Sequence, residues 1–299
     1  MNKRTRGSYP RPDWMLRATW HDYQLTPDLP VYPLVSAHPR PTPLQIDLHE
    51  GIEVGVVLSG KQERHYPDWT VNLSAGDVWL QPMWEPHGWR ITALDTKSLL
   101  LIFLPQFLAE EKIGEYPWLS LFAAPVHLRP WVRDGEVRSR ALLIGEEIAE
   151  EITRRERGWL AAVRLGMLRL LFVLSRQWTP PAESPDPSRA NTGNLSRVMP
   201  AVALIQQRRP GSVTVGEAAA ACRLSRSRFN SIFRQTMGTS FGQFSLRARL
   251  GFAAHRLLTT DLTVEVIAQR AGFVDASHFH RTFVRHYGRT PAQYRVRPA

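Results

Sequence analysis

The last hundred or so residues of the chain contain two copies of one helical pattern, and this repeat restricts the possible folds more than any other feature. Segments 224–244 and 273–294 align by eye, and matching positions lie fifty residues apart. The matching pairs are Phe229 with Phe279, Phe233 with Phe283, Gly238 with Gly288, Gln243 with Gln293, and Phe244 with Tyr294. A repeat of this length indicates one supersecondary unit used twice.

Each copy has the start and stop signals of two short helices joined by a turn. Thr214 and Glu217 form a capping box, and Ser225 can cap the second helix of the first copy. Thr263 and Asp275 take the same places in the second copy. The sequence therefore predicts two helix-turn-helix units joined by a connecting helix. Their approximate bounds are 214–237 for the first unit, 241–258 for the connecting helix and 264–287 for the second unit.

The excess positive charge of the chain lies in the same region. Residues 195–299 contain 16 arginines, no lysine and four acidic residues, a net charge of +12. Residues 1–194 contain 22 basic and 23 acidic residues, a net charge of −1. Because arginine neutralises phosphates and releases their counterions, this concentration favours double-stranded DNA as a partner. The alternative is a solvated basic surface.

The second helix of each unit, here called the recognition helix, has an apolar face and a polar face. Phe229 and Phe233, with Phe279 and Phe283 in the second unit, fall on the faces expected to be buried. The opposite faces can enter a major groove, with the solvated faces of an all-α bundle as the alternative. The candidate DNA contacts are Arg226, Ser227, Asn230, Ser231 and Arg234 in the first unit, and Ser277, His280 and Arg281 in the second.

The segment AGFVDASHFHRTFVRHYGRTPAQYR, near the C-terminus, resembles the signature of the AraC family of bacterial regulators. The resemblance covers both units and implies one monomer that contacts two adjacent grooves, with base contacts from Ser227, Asn230 and Ser231. The matching positions in the second unit are Ala276, Ser277, His280 and Arg281, and Ala276 offers only a methyl group. Three arginines of the connecting helix are interpreted as contacts to phosphates or to an acidic partner: Arg247, Arg249 and Arg256.

A proline-rich stretch divides the chain into two domains. Residues 179–194 contain four prolines and almost nothing to bury, which predicts a linker. The domains on either side are residues 1–178 and residues 195–299.

The N-terminal domain has the pattern of a β-barrel followed by helices. Residues 31–104 contain short strands punctuated by Gly, Pro and Asp, typical of a sandwich or barrel. Helical patterns follow over residues 136–156 and 158–177, and the second is apolar nearly all round, which suits packing on the barrel and a homodimer contact. The predicted fold class is α+β, with a β-barrel domain and an all-α domain.

Two segments, DLHEGIEVGVVLSG (47–60) and GDVWLQPMWEPHGW (76–89), resemble the cupin barrel common at the N-terminus of the AraC family. In cupin enzymes a similar arrangement binds a metal. The resemblance implies Asp47, His49, Glu53 and His87 as metal candidates here, with Asp47 departing from the enzyme pattern. A 2-His-1-carboxylate set suits iron or manganese. The same positions are often a structural hydrogen-bond cluster in this family, and we expect no metal and no other cofactor.

Tryptophans cluster in the same stretch, where an indole lining a barrel mouth could stack on a sugar or an aromatic molecule. We therefore expect a small-molecule effector inside the barrel, with carbohydrates as one class. A Trp-rich core is the alternative. The effector-binding candidates are His49, Glu53, Trp79, Trp84 and His87.

The sequence favours a cytoplasmic protein. Cys222 is the only cysteine, so the chain forms no intrachain disulfide. The longest apolar runs are far shorter than the roughly 20 residues that span a bilayer. Pro10, Pro12 and Asp13 stand where a secretory signal would have its apolar stretch.

Together these features predict a DNA-binding transcription regulator that responds to an effector and forms a homodimer, with RNA polymerase as a further partner if it activates transcription. We expect no catalytic residues and no membrane contact. The alternative is a metal-dependent cupin enzyme fused to a DNA-binding domain, and a regulator controlled only by its own abundance is a third possibility.

Overall fold

A computed structural model gives the structure of the chain for residues 19–21, 23–26, 28–66, 69–83, 85, 87–109, 118–124, 126–179, 192–208, 213–237 and 239–295. Within these ranges the N-terminal domain contains nine β-strands. They are β1 (Thr19–Trp20), β2 (Val31–His38), β3 (Gln45–Leu48), β4 (Ile52–Ser59), β5 (Lys61–Tyr66), β6 (Trp69–Ser74), β7 (Val78–Gln81), β8 (His87–Ile91) and β9 (Thr96–Phe103).

The strands form two sheets that face each other around a cavity. One sheet has the order β1-β3-β8-β5-β6 and the other the order β2-β9-β4-β7. All pairs are antiparallel except β1 with β3. Val54, Val56, Leu99 and Leu101 of the second sheet are fully buried. The two sheets, and the helices that follow them, confirm the predicted α+β class.

Helices make up the rest of the described structure. They are α1 (Gln106–Ala109), α2 (Trp118–Ala123), a 3₁₀ turn (Val126–Leu128), α3 (Gly135–Arg154), α4 (Trp159–Arg176), α5 (Thr192–Gln207), α6 (Val215–Ala221), α7 (Arg226–Met237), α8 (Phe241–Thr259), α9 (Val264–Arg270), α10 (Ala276–Tyr287) and α11 (Pro291–Arg295). Among the described residues, no helix has both the length and the apolar composition that a bilayer crossing requires.

Helices α3 and α4 correspond to the two helical patterns predicted after the strands. Ile144, Ile148 and Ile152 of α3 are buried, as their spacing predicts. Helix α4 buries most of its apolar residues but leaves Leu165 and Phe172 exposed. These helices therefore cover the β-sheets and still present apolar side chains to solvent.

Helix α5 begins at Thr192, inside the predicted linker of residues 179–194. Residues 180–191 of that linker lie outside the described residues. Helix α5 packs on α6 and α7 with Val198, Val202 and Ile205 buried, because these positions share one helical face.

The two domains contact each other. Helix α5 contacts α1, helix α2 contacts α7, and strand β1 contacts α8. A cavity of about 210 Å³ between the domains has walls from both, including Ile52 and Phe122 on one side and Met237 and Arg247 on the other. The first helix-turn-helix unit therefore rests against the N-terminal domain.

Candidate nucleic-acid interface and barrel cavity

The two helix-turn-helix units have the caps that the sequence predicts. Thr214 and Glu217 form a capping box at the start of α6. The Ser225 hydroxyl accepts from the Arg228 amide at 3.3 Å, and Asp275 accepts from the His278 amide at 2.6 Å. Each recognition helix, α7 and α10, thus begins at a side chain that satisfies one of its free backbone N–H groups.

The cores of the two units repeat each other in space. The rings of Phe229 and Phe233 are 5.4 Å apart and those of Phe279 and Phe283 are 5.2 Å apart, and all four side chains are fully buried. In the first unit the next aromatic contact is edge-to-face, with Phe244 5.5 Å from Phe233. The second unit repeats it, with Tyr294 5.3 Å from Phe283. The matched aromatic pairs therefore fix the same fold in both units.

The opposite faces of α7 and α10 lie in solvent. All candidate DNA contacts are exposed except Ala276, which is half-buried; the exposed ones are Arg226, Ser227, Asn230, Ser231, Arg234, Ser277, His280 and Arg281. Each recognition helix thus presents a polar face that carries arginine. Such a face can form hydrogen bonds with base edges and phosphates.

One of the three connecting-helix arginines differs from its predicted role. Arg249 of α8 is half-buried, and its Nε donates to the Ala271 carbonyl at 2.9 Å while Nη2 donates to the Gly272 carbonyl at 2.6 Å. Burial lowers the pKa of its guanidinium. Arg249 therefore holds the turn of the second unit, whereas the sequence assigned it to phosphates or to an acidic partner.

In the N-terminal domain, the buried carboxylate of Glu53 is the centre of a polar cluster. Arg64 Nη2 donates to Glu53 Oε1 at 2.8 Å, and Trp79 Nε1 donates to the same oxygen. The other oxygen, Oε2, faces the ring nitrogens Nε2 of His49 at 3.0 Å and of His87 at 3.4 Å. Burial alone would raise the pKa of Glu53, but Arg64 and the two histidines outweigh it and hold that pKa well below its ordinary value.

The position of Trp79 depends on a close approach to strand β4. A Cβ at Gly55 would lie 1.9 Å from the indole ring, so only glycine leaves room for it there. The Arg64 guanidinium lies over the Trp79 ring, 4.0 Å from the ring centroid. Trp79 is therefore a fixed part of the Glu53 cluster.

The two histidines of this cluster have fixed ring orientations. His49 Nδ1 donates to the Gly51 carbonyl and His87 Nδ1 donates to the Glu85 carbonyl, each at 3.0 Å. A proton is needed on Nε2 of His49 as well if it is to donate to Glu53. Burial lowers the pKa of His49, but the hydrogen bond to Glu53 and the charges of Asp47 and Glu53 raise it overall. His49 is therefore stabilised as an imidazolium.

Three of the four metal candidates lie close enough together to share an ion. A carboxylate oxygen of Asp47 and a ring nitrogen each of His49 and His87 lie within 4.8 Å of one another. These atom types suit iron, manganese or zinc. Asp47, however, accepts from His21 Nδ1 at 2.7 Å and from the Tyr23 hydroxyl at 3.1 Å. The fourth candidate, Glu53, is held by Arg64 and Trp79, so most of these donors already have protein partners.

The cavity between the sheets has a volume of about 400 Å³ and mixed polar and apolar walls. On one wall Trp89 of β8 stands in register with Gln45 of β3 and Arg64 of β5, and all three line the cavity. The remaining lining residues are His21, Tyr23, Leu34, Ser36, His38, Thr42, Pro43, Ile46, Asp47, Glu53, Gln62, Ile91 and Leu100. An indole flanked by an amide and a guanidinium can stack on a ring and hydrogen-bond to its substituents.

The chain is similar in sequence to several known proteins, most of them over its C-terminal domain. Residues 218–297 match a family model described as a helix-turn-helix domain. RclR, an RCS-specific HTH-type transcriptional activator of Escherichia coli K12, is 39% identical over 98 residues, which are 32% of this chain and 34% of RclR. The melibiose operon regulatory protein of the same strain is 24% identical over 270 residues, 83% of this chain and 82% of that protein. A solved structure of a transcriptional regulator from Chromobacterium violaceum, with an AraC-type DNA-binding domain, is 27% identical to this chain. The similarity covers 35% of this chain and 94% of that one, with a TM-score of 0.33.

Residues 218–297 form a helix-turn-helix domain, which is similar to the corresponding domain of the transcriptional activator RclR. The matched family model covers most of both units, from Ala218 in α6 to a point beyond α11. The chain spans about a third of the length of RclR, so the similarity to that protein concerns the helix-turn-helix domain alone.

In the N-terminal domain, the residues that the sequence singled out lie in the Glu53 cluster, but they include few of the residues that form the cavity wall. Of the five effector candidates, Glu53 lines the cavity, and His49, His87 and Trp79 contact Glu53; Trp84 lies outside the described residues. The candidates did not include Gln62 and Arg64, which lie on the inner face of β5. The sequence feature that points to Gln62 and Arg64 is that β5 has no apolar residue before Tyr66, which is unusual for a strand inside a barrel.

Proposed function

We propose that the chain is a sequence-specific DNA-binding transcription regulator whose β-domain cavity binds a small-molecule effector, with carbohydrates as one candidate class. The observation that carries the proposal is the pair of matched recognition helices, each with an exposed polar face above the same aromatic core. The net charge of +12 on residues 195–299 supports it, because a polyanion is the complementary partner.

The length of the connecting helix α8 limits how the two recognition helices can reach one face of a duplex. Helix α8 has 19 residues and is about 28 Å long at roughly 1.5 Å per residue. Successive major grooves on one face lie about 34 Å apart, so binding to both requires bent DNA or a partial contact by one unit.

The DNA test uses the purified full-length chain and a pool of random duplexes. We expect selection of sites with two half-sites about one helical turn apart, and an affinity that falls steeply with salt. Failure to enrich any sequence at low salt would contradict the proposal.

Two observations support the effector. The cavity holds Trp89 between Gln45 and Arg64, and the similarity to the melibiose operon regulatory protein extends over the N-terminal domain. A panel of sugars and aromatic acids, followed by thermal melting, tests it. A ligand at a hundredfold excess over its Kd adds about 2.7 kcal/mol to the free energy of unfolding, and Trp89→Ala should abolish that shift. If no class of small molecule changes the melting temperature, a regulator controlled by its own abundance is favoured.

The proposal places the protein in the cytoplasm as a homodimer without catalytic activity. Leu143 of α3, with Leu165 and Phe172 of α4, supports a dimer contact because these side chains are exposed and apolar. RNA polymerase is a further partner if the protein activates transcription.

A metal-dependent cupin enzyme is the second candidate. The convergence of Asp47, His49 and His87 favours it, and the engagement of Glu53 by Arg64 and Trp79 weighs against it. Elemental analysis of the purified chain, with His87→Ala as the control variant, separates the two candidates. A stoichiometric metal that is lost in the variant supports the enzyme, and a metal-free wild type removes it.

A further inference from the structure

Arg249 connects the helix between the two units to the turn of the second unit. Its guanidinium donates to two consecutive carbonyls, Ala271 and Gly272, and lies 4.0 Å from the centroid of the Phe273 ring. One side chain from α8 therefore contacts three consecutive residues of the turn between α9 and α10.

The chemistry of these contacts suits an arginine. Ala271 caps the C-terminal end of α9, where carbonyls lack partners within the helix and a cation is favoured. The planar fork of a guanidinium can bond two carbonyls at once and stack on an aromatic ring, whereas a lysine ammonium has no such fork. The arrangement thus uses both the charge and the shape of the side chain.

The turn that Arg249 holds leads directly into the recognition helix α10. Phe273 contacts Phe279 of α10, with ring centroids 5.1 Å apart, and Asp275 caps the first turn of that helix. Because these residues follow one another along the chain, the contact with Arg249 fixes the start of α10 relative to α8.

The first unit is supported in another way. Its turn, residues 222–225, is one residue shorter than the turn of the second unit, and helix α5 packs on both α6 and α7. Helix α8 contacts both units, and α11 takes in the second unit the place that the start of α8 takes in the first. The longer turn of the second unit is held instead by the side chain of Arg249.

We propose that Arg249 is a positioning residue for the second recognition helix. It sets the direction of α10 relative to α7 and thereby determines how much the second half-site contributes to binding. This inference rests on the proposed function, since it concerns the DNA-binding step.

The test compares Arg249→Met with wild type in the full-length chain on three duplexes: the selected site, the same site with its second half-site scrambled, and the site with its first half-site scrambled. We expect Arg249→Met to bind the selected site at least about tenfold more weakly, as for loss of base contacts in one half-site. On the duplex with the scrambled second half-site, Arg249→Met and wild type should bind with affinities within about twofold of each other. The loss of one positive charge accounts for this small difference. A wild type that does not distinguish the three duplexes contradicts the proposed function itself, before Arg249 is considered.

Two matched variants separate position from charge. Arg249→Lys keeps the charge but lacks the planar fork that bonds both carbonyls while stacking on Phe273, so it should show the same half-site pattern as Arg249→Met. Arg256→Met removes a charge from the same helix, where Arg256 stacks on Phe252, and should not reproduce the half-site pattern of Arg249→Met. The inference is overturned if Arg249→Lys binds like wild type, or if Arg249→Met loses affinity equally on both half-sites. Circular dichroism confirms folding, and Arg249→Lys carries the test if Arg249→Met does not fold.

Discussion

The two helix-turn-helix units are alike inside and differ in what holds them. Both bury a pair of phenylalanines about 5 Å apart and pack an aromatic ring from the following helix edge-to-face against the second. The first unit also packs on α5 and on α2 of the N-terminal domain, whereas the turn of the second unit is held by Arg249 of α8. The repeated core therefore sets the fold of each unit, while contacts outside the repeat set its orientation.

The largest expected effect tests whether the two cores are equivalent. Phe233→Ala and Phe283→Ala each remove a fully buried ring and should each cost about 3 to 5 kcal/mol of stability. Hydrogen exchange of the amides in α7 and α10 measures the loss in each unit separately. A cost in one unit less than half that in the other breaks the equivalence, and Phe→Leu at each position is the conservative control.

The next effect tests whether both exposed faces contact bases. Asn230→Ala and Arg281→Ala should each weaken binding to the selected duplex by about 1 to 3 kcal/mol and relax preference at one base pair, in different half-sites. Titrations against duplexes with single base-pair changes measure this. Equal losses on scrambled DNA would assign either residue to the phosphate backbone.

The smallest effect concerns the caps of the recognition helices, where the two units differ in chemistry. Ser225→Ala and Asp275→Ala should each cost about 1 kcal/mol. The loss at Asp275 should be the larger, because a carboxylate also favours the positive end of the helix and its bond to the backbone is shorter. Exchange of the first-turn amides of α7 and α10 measures both. Asp275→Asn should recover most of the loss, and a larger loss at Ser225 would contradict the reasoning.

The units were predictable from sequence because their signals are local. Caps such as Thr214 and Asp275 act within one turn, and the buried faces follow from helical spacing. Arg249 was assigned to phosphates because its carbonyl partners lie more than twenty residues away, and nothing in a helical pattern indicates them. The same limit hid the contact of the first unit with the N-terminal domain.

In the β-domain the sequence predicted short strands over residues 31–104 and candidate residues that lie in or beside the Glu53 cluster, but not which tryptophan faces the cavity. Trp79 is buried against Glu53, and Trp89 lines the cavity. Alternation along a strand separates inside from outside only once the register is known, and pairing with the neighbouring strands sets that register. Arg64 lies on β5 and Glu53 on β4, which belong to different sheets, so their contact depends on how the two sheets face each other.

The fit between Gly55 and the Trp79 ring ties together two positions that are distant in the chain. A side chain at Gly55 would displace the Trp79 indole. Glu53 would then lose the hydrogen bond from Trp79, which is costly because its carboxylate is buried. Gly55 and Trp79 should consequently vary together in related sequences. Replacing both at once, with a different cluster around Glu53, should be tolerated more easily than replacing either one alone.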